Sequence, residues 1–202
     1  MNIEPTSLSA LASYQLMVSV IVPRPIAFVS TMSPGGTTNL APFSFFTGIC
    51  AKPPTLCFSV ARRRSGEKKD TVRNIEATRE FVVNVVSERF VRRMNQCAAD
   101  YPPEVSEFAE AGLTPVVSER VKPPRVGEAL INMECTLSEV REYGEMPYAT
   151  SLIIGEVVLF HLSDTVYRDG KVDYPLLSTI GRMGGDFYCR TGDLFEMKRP
   201  QL

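Results

Sequence analysis

The sequence IAFVSTMSPGGTTNLAPFSFFTGI, residues 26–49, contains two strand-like segments on either side of a turn. The first segment, 26–32, is rich in β-branched and aromatic residues, which favour strands. The Ser-Pro-Gly-Gly sequence at 33–36 predicts a turn, because proline fixes φ and glycine tolerates positive φ. We therefore predict a β-hairpin whose second strand covers 39–49, with Pro42 at an edge or a bulge.

Further along the chain, apolar and β-branched segments predict more strands. These strands cover residues 55–61, 81–86, 130–141 and 151–161. Short helices are expected at 8–18, at 70–78 with Asp70 as the N-cap, and from Ser87 onward. Asp169-Gly170 predicts a type I′ hairpin turn. Many short strands, few helices and no βαβ order favour one mainly β domain, built as an antiparallel barrel.

The charged residues exclude some classes of function. Lys plus Arg is 22, Asp plus Glu is 23, and the net charge is −1. A general nucleic-acid surface is not expected, because such binding needs a basic surplus. His161 is the single histidine, which excludes a centre built only from histidines of one chain, and no metal site is predicted. No apolar stretch reaches the roughly 20 residues of a membrane helix, so no membrane contact is expected.

The cysteines indicate the compartment. There are five, an odd number, and no two are spaced as C-x-x-C: Cys50, Cys57, Cys97, Cys135 and Cys189. This pattern argues against a disulfide framework, a zinc ribbon and a C-x-x-C redox pair. The N-terminus lacks the basic start of a signal peptide. We expect reduced, mostly buried thiols in a cytoplasmic protein.

A basic segment, Arg62–Thr71, reads RRRSGEKKDT and contains five Lys and Arg residues. It follows a predicted strand and precedes a predicted helix. Free N–H groups and positive potential at a helix start suit a phosphate, and arginine can bind phosphate through two donors. A solvated basic loop would give the same pattern, so both interpretations stay open.

A second polar signal, Asn39–Phe46, reads NLAPFSFF. Proline at a strand edge leaves backbone groups free, and these can hold a flat aromatic ligand between apolar side chains. A core strand with an edge proline is the alternative. The glycine-rich tail with Arg182, Tyr188 and Asp193 can fold over a ligand or belong to a dimer. The sequence has no G-x-S-x-G motif and one histidine, so redox chemistry would need a cofactor. A phosphate site beside a flat aromatic slot matches flavin mononucleotide (FMN).

Several landmarks, taken in order, resemble one family. They are Pro23-Arg24-Pro25-Ile26-Ala27, Asn39–Phe46, Lys68-Lys69-Asp70-Thr71 with Asn74-Ile75, Phe81-Val82-Val83-Asn84, Gly155-Glu156-Val157 before His161, Gly181-Arg182-Met183-Gly184-Gly185 before Tyr188, and Gly192-Asp193-Leu194-Phe195-Glu196-Met197. The chain resembles the flavin reductase-like, FMN-binding split-barrel proteins, which include flavoredoxins and the reductase components of two-component monooxygenases. The resemblance implies a six-stranded antiparallel split barrel with Greek-key order. It also implies a single domain over 1–202, with a core at about 19–165 and a C-terminal extension at 166–202.

The resemblance further implies a homodimer with FMN, rather than FAD, near the subunit interface. The residues implied for the ring and the ribityl chain are Ser30, Thr31, Asn39, Ala41, Pro42, Ser44, Phe45 and Phe46. The residues implied for the phosphate are Ser59, Arg62, Lys68, Lys69, Asp70 and Thr71. Which arginine of 62–64 faces the phosphate stays open. In this interpretation His161 lies near the ring, and Tyr188 packs beside it.

The leading functional expectation is an NAD(P)H:flavin reductase, with NADH or NADPH as the reductant. Hydride would pass from nicotinamide to flavin. The alternative is a flavoredoxin-like FMN electron carrier without its own NAD(P)H activity. A monooxygenase or another electron-acceptor protein is the expected partner. A binding module for another planar ligand such as haem is a third interpretation, and a lone histidine gives haem at most one imidazole ligand.

Overall fold

The structure, a computed structural model, describes residues 1–201. Its strands are β1 (Ala27–Met32), β2 (Thr38–Phe43), β3 (Phe46–Ala51), β4 (Pro54–Ala61), β5 (Glu80–Val85), β6 (Pro115–Val116), β7 (Arg125–Val126), β8 (Ile131–Tyr143), β9 (Thr150–Leu162), β10 (Tyr167–Arg168), β11 (Lys171–Val172), β12 (Ile180–Arg182) and β13 (Tyr188–Arg190). Its helices are α1 (Ala10–Val20), α2 (Asp70–Thr78), α3 (Val91–Gln96), α4 (Glu107–Glu110) and α5 (Tyr174–Leu177), with 3₁₀ turns at Pro5–Ser7 and Glu88–Phe90.

One antiparallel sheet forms the barrel, with the strand order β2-β1-β5-β8-β9-β4-β3. Its edge strands, β2 and β3, are the two halves of one bent segment, since β2 pairs with β1 and β3 pairs with β4. This segment closes the sheet, so the barrel has six strands when the halves are counted together. Strands β1 to β4 form one meander, and β5, β8 and β9 form a second that returns beside β1. Such a return is a Greek-key connection, and the predicted fold class is confirmed.

The bend in the closing segment corrects the prediction of a single strand over 39–49. It lies at Ser44 and Phe45, between β2 and β3. Pro42 has no N–H to donate, which suits β2 because only β1 pairs with it. At the bend, the N–H of Ser59 donates to the carbonyl of Phe45 at 2.9 Å. The bend is therefore hydrogen-bonded to β4, and it lies at the rim of a cavity described below.

Two apolar clusters hold the barrel together. Inside it, Phe58 and Phe81 meet edge to face with 5.6 Å between ring centroids. Helix α2 covers this interior cluster with the side chains of Val72 and Ile75. Outside it, helices α3 and α4 pack on β1 and β2 through a second cluster, Ile26, Phe28, Leu40, Phe90, Met94 and Phe108 among others. Strands β1 and β2 therefore lie between the two clusters, which fixes their position.

The helix starts differ in detail from the predictions. Helix α1 begins two residues late, because the Ser9 side chain caps it by accepting the N–H of Ala12. Asp70 is the first residue of α2 rather than its N-cap, which is Lys69, and no side chain caps this helix. The Asp70 carboxylate pairs with arginine side chains instead. No helix in residues 1–201 has the length and apolar character needed to cross a membrane.

The hairpin and cysteine predictions have different outcomes. Asp169 and Gly170 have φ values of 51° and 75°, as a type I′ turn requires. All five cysteines are free within the described chain, but only Cys97 and Cys135 are fully buried. Burial raises the pKa of Cys97 to about 12 and also raises the pKa of Cys135, so neither forms a reactive thiolate near neutral pH. Cys50 is exposed, which corrects the prediction of mostly buried thiols.

Candidate functional site

The bend between β2 and β3 borders a cavity of about 370 Å³, named the corner cavity here. It lies between helix α1, the bend, helix α3 and the β12–β13 hairpin. Its lining residues are Tyr14, Val18, Ile26, Pro42, Phe43, Ser44, Phe45, Ser59, Ala61, Met94, Asn95, Ala98, Thr150, Arg182 and Tyr188. Small-molecule sites usually measure about 300–1,000 Å³. The volume and the mainly apolar, aromatic walls suit a planar ring.

A second, smaller cavity of about 160 Å³ lies at the start of helix α2 and is named the helix cavity. Its lining residues are Asn39, Ala41, Pro42, Phe43, Arg63, Lys69, Asp70, Thr71, Cys97, Ala98, Ala99, Asp100, Tyr101 and Glu107. It shares Pro42, Phe43 and Ala98 with the corner cavity. The two cavities are therefore parts of one groove, apolar at one end and charged at the other.

The start of helix α2 gives the charged end its anion-binding character. The first N–H groups of a helix have no partner within the helix and carry the positive end of its dipole. In α2 no side chain caps them, and Lys69, Asp70 and Thr71 all line the helix cavity. Asn39 Nδ2 donates to Thr71 Oγ1 at 3.0 Å, which ties β2 to the helix start.

Carboxylates partly neutralise the cations of the helix cavity. Arg63 lies 2.5 Å from Asp70 and 3.6 Å from Asp100. Lys69 Nζ lies 3.7 Å from the same Asp100 carboxylate. Burial raises the pKa of Glu107, a carboxyl that also accepts the N–H of Leu40 at 2.8 Å. An anion that enters this cavity therefore meets two cations that Asp100 already contacts.

Comparison with known proteins identifies the family. The family profile described as "Flavin reductase like domain" matches residues 18–183. The chain belongs to this family. A protein of Halalkalibacterium halodurans is 40% identical over 204 residues, which cover 100% of this chain and 98% of the relative. The family resemblance of the sequence motifs is thereby confirmed.

Solved structures of similar chains agree with this assignment. Nitrilotriacetate monooxygenase component B from Bacillus cereus superposes with a TM-score of 0.94 at 39% identity, over 98% of both chains. The 2-nitrobenzoate 2-nitroreductase of Pseudomonas fluorescens gives 0.89 at 30% identity, over 99% of this chain and 96% of that one. Flavoredoxin of Desulfovibrio vulgaris gives 0.76 at 24% identity, over 87% and 91%, and shares the fold. The chain is therefore a flavin reductase-like oxidoreductase whose cofactor is a flavin.

The groove of this flavin reductase-like chain brings together most of the predicted site residues. At the corner cavity these are Pro42, Ser44, Phe45, Ser59 and Tyr188. At the helix cavity they are Asn39, Ala41, Pro42, Lys69, Asp70 and Thr71. The bend and the helix start, which lie far apart in sequence, thus become the two ends of one groove.

Three predicted ring contacts lie elsewhere. Ser30 and Thr31 are completely buried and line neither cavity. The Ser30 hydroxyl donates to the carbonyl of Pro124, and Thr31 Oγ1 accepts from Asn74 Nδ2 at 3.1 Å. Phe46 follows the bend and lies on its other side, away from both cavities. Within one chain these three residues therefore do not line the groove, and the two hydroxyls are hydrogen-bonded to the protein itself.

Arg62 and Lys68 also lie outside the groove, and Arg63 lies inside it. Arg62 pairs with Glu142 at 2.9 Å, and the Lys68 ammonium pairs with Glu76. Strand β4 ends at Ala61, so Arg62 and Arg63 lie on the loop that follows it. Arg63 pairs with Asp70 at the start of helix α2, and it lines the helix cavity. This contact comes from the tertiary fold, and the sequence left the choice among residues 62–64 open.

A single chain does not bring His161 to the groove. Strand β9 begins at Thr150, which lines the corner cavity. His161 lies roughly 36 Å further along the strand, at about 3.3 Å per residue. Its Nε2 is hydrogen-bonded to buried Glu134 at 2.5 Å. Burial alone would raise the pKa of Glu134, but three backbone N–H donors and His161 together hold it below its ordinary value. The role visible for His161 is to hold this carboxylate.

The sequence assigned no role at the site to Tyr14 or Asn95 in the corner cavity, or to Arg24 behind the bend. Tyr14 and Asn95 line the corner cavity, and Asn95 Oδ1 accepts the Tyr188 hydroxyl at 2.9 Å. Arg24 is buried behind the bend and places its guanidinium 5.8 Å from the Phe45 ring centroid. The two prolines that flank Arg24 are the only local signal that this arginine is held in place.

Proposed function

We propose that this flavin reductase-like chain binds FMN along the groove and reduces it with NADH or NADPH. The observation that carries the proposal is the continuity of an aromatic-lined cavity with a cationic one, joined at Pro42, Phe43 and Ala98. The ring and the phosphate of one mononucleotide need such a pair of environments. The helix cavity, at about 160 Å³, has room for a phosphate and little more. FMN therefore fits the groove better than FAD.

In this proposal the phosphate lies at the start of helix α2. The uncapped N–H groups, Lys69 and Arg63 bind it through charge-assisted hydrogen bonds. Thr71 orients the helix start through its contact with Asn39. The ring lies in the corner cavity, where the hydroxyls of Ser44 and Ser59 face its polar edge. The sequence assignment of Lys69, Asp70 and Thr71 to the phosphate end is retained, and Arg63 replaces Arg62.

The protein's part in the reaction is to position the reactants and exclude water. When bound, the flavin supplies the redox chemistry, with its N5 as the acceptor of hydride from C4 of the dihydronicotinamide, which leaves as NAD(P)⁺. Tyr14, Phe45 and Tyr188 wall the corner cavity and hold two stacked rings close together. No side chain of the groove is assigned as a general acid or base, and no metal takes part in the proposed reaction.

Helix α1 supports a homodimer. Apolar side chains lie on every face of this helix, interrupted by Ser13, Gln15 and Ser19, yet Val18 is its one fully buried residue. Leu11, Tyr14 and Val20 are 63%, 56% and 66% exposed. A helix that is apolar all round is normally buried, and a second copy of the chain would bury it. Because Tyr14 and Val18 also line the corner cavity, this dimer would have FMN near its interface.

The partner and the compartment follow from the same proposal. The Bacillus cereus relative is a component of a monooxygenase, which supports a monooxygenase or another electron-acceptor protein as the partner of this chain. Five free cysteines suit a reducing compartment, so we place the protein in the cytoplasm.

Anaerobic mixing of the FMN-loaded protein with NADH, and separately with NADPH, tests the proposed reaction. The flavin absorbance at about 450 nm should fall with at least one nucleotide. If it stays constant with both nucleotides and falls with dithionite, the chain is an electron carrier of the flavoredoxin type and the reductase proposal is wrong. A Soret band in the purified protein would instead indicate haem.

A further inference from the structure

Arg182 is the one charged residue among those that line the corner cavity. Its guanidinium lies 4.5 Å from the ring centroid of Tyr188, and its Nη1 donates to the carbonyl of Phe187 at 3.1 Å. None of the ion pairs formed by residues 1–201 includes Arg182. The corner cavity therefore carries a positive charge that no carboxylate of the described chain balances.

The fold holds this arginine in place. Arg182 pairs with Tyr188 across the β12–β13 hairpin. Its backbone also exchanges two hydrogen bonds with Arg24, at 3.0 Å and 2.8 Å. The cation–π contact with Tyr188 restricts the side chain further. An arginine fixed in this way loses little conformational entropy when it binds a planar anionic group.

The charge of Arg182 is separate from the proposed phosphate site. Arg63 and Lys69, at the other end of the groove, already contact acidic side chains, and the FMN phosphate is assigned to them. A second ligand that stacks on the flavin ring in the corner cavity would meet Arg182, with Asn95 and Tyr14 as neighbouring polar groups. The groove thus has two separate cationic sites, Arg63 with Lys69 for the FMN phosphate and Arg182 for a second ligand.

We infer that Arg182 binds the anionic group of the second substrate, a flat ring compound with a phosphate or carboxylate substituent. This inference rests on the proposed function, because it requires the FMN phosphate to occupy the helix cavity and the ring to lie in the corner cavity. Two sources supply such a group, the phosphate of a nicotinamide nucleotide and the carboxylate of an aromatic acid. Arg182 is then a residue that determines specificity, and hydride transfer itself does not need it.

Equilibrium titration of the FMN-loaded protein with matched ligand pairs tests the inference. Nicotinamide mononucleotide is compared with nicotinamide riboside, and benzoate with benzamide, so each pair differs mainly in the anionic group. Flavin absorbance or calorimetry gives the dissociation constants. Arg182→Gln should weaken the member of at least one pair that carries the anionic group about tenfold, and leave the members that lack it within about twofold. Arg182→Lys should retain part of the affinity, since it keeps the charge.

Arg190→Gln is the matched control. Arg190 lies on the same hairpin, pairs with Glu88 at 2.6 Å and lines neither cavity, so its loss should change none of these constants. A loss confined to the mononucleotide identifies the phosphate source, and a loss confined to benzoate identifies the carboxylate source. Binding of the sensitive anion to the unaltered protein should also weaken as salt is raised.

Two results would overturn the inference. One is unchanged affinity of Arg182→Gln for both anions, and the other is a loss of FMN affinity of tenfold or more, which would assign Arg182 to the flavin phosphate. The reductase proposal fails separately, if neither NADH nor NADPH bleaches the flavin while anion binding still depends on Arg182. If the unaltered protein does not bind FMN, the proposed function fails, and the inference that rests on it fails with it.

Discussion

Removal of the Asp100 carboxylate should strengthen FMN binding. Asp100 lies on the loop after helix α3 and contacts both Arg63 and Lys69, at 3.6 Å and 3.7 Å. A phosphate at the start of helix α2 would bind the same two cations, so the carboxylate competes with it and repels it. Asp100→Asn keeps the size and polarity of the side chain and removes the charge. The substitution therefore tests which cations hold the phosphate.

The size of the effect follows from Coulomb's law. Two anions that contact the same cations lie about 6 Å apart, and charges of −2 and −1 at that distance repel by about 1.4 kcal/mol in water. The dielectric constant of water is appropriate because the Asp100 side chain is 64% exposed. This repulsion corresponds to about a tenfold change in affinity. At about 0.1 M salt the Debye length is about 10 Å, which reduces the gain to roughly three- to fourfold.

Quenching of FMN fluorescence by the flavin-free protein measures the affinity at about 10 mM and about 100 mM salt. Glu104→Gln is the control, since Glu104 lies on the same loop and does not line the helix cavity. We expect a gain for Asp100→Asn that decreases with salt, and a much smaller change for Glu104→Gln. Weaker binding by Asp100→Asn would refute the reasoning and place the carboxylate in the binding set. Equal gains in FMN affinity for both variants would show that the effect comes from the net charge of the chain and not from the contacts of Asp100.

Three further predictions concern the phosphate site, the dimer and the barrel. Lys69→Ala should weaken FMN binding about tenfold through the loss of a charge-assisted contact, whereas Lys68→Ala, whose ammonium faces an acidic side chain outside the groove, should leave the titration unchanged. Equal losses would contradict the placement of the phosphate. Leu11→Glu puts a charge on the exposed apolar face of α1 and should turn a dimer into a monomer in sedimentation velocity; a monomeric unaltered protein would refute the homodimer. Gly155→Ala brings a Cβ into collision with the Phe81 ring and should lower the free energy of unfolding in urea by about 1–3 kcal/mol. An unchanged midpoint would show that the barrel relaxes around the methyl group.

The strands of the barrel could be predicted because each has its own local run of apolar and β-branched residues. The ends of β1, β4, β5, β8 and β9 agree with the predicted bounds to within two residues. The bend at Ser44 could not be predicted in this way: Pro42 indicated an edge or a bulge, but no local signal shows that the segment changes its pairing partner. It arises because one half of the segment pairs with β1 and the other half with β4. Such pairing is a property of the closed barrel.

The candidate site could be predicted where the signal was local and not where tertiary contacts decide it. The helix start at Lys69 and Thr71 could be predicted, because a basic segment just before a helix N-terminus suits an anion, although a solvated loop gives the same pattern. Ser30 and Thr31 have hydroxyls of the right type, but residues remote in sequence, Pro124 and Asn74, use them. A hydroxyl on a strand gives no sign of whether a ligand or the protein will be its partner.

Arg24 holds the walls of the groove in position before a ligand binds. Its guanidinium donates to the carbonyl of Ile21 at the end of α1 at 2.7 Å, to that of Met183 in the C-terminal segment at 2.8 Å, and to Ser44 at the bend at 3.3 Å. These three segments border the corner cavity, and no other side chain among residues 1–201 donates to all of them. Burial lowers the pKa of Arg24, yet a guanidinium keeps its charge at any pH at which the protein folds. The cavity walls are therefore fixed before a ligand arrives, so binding energy is available to hold the ring rather than to order the loops around it.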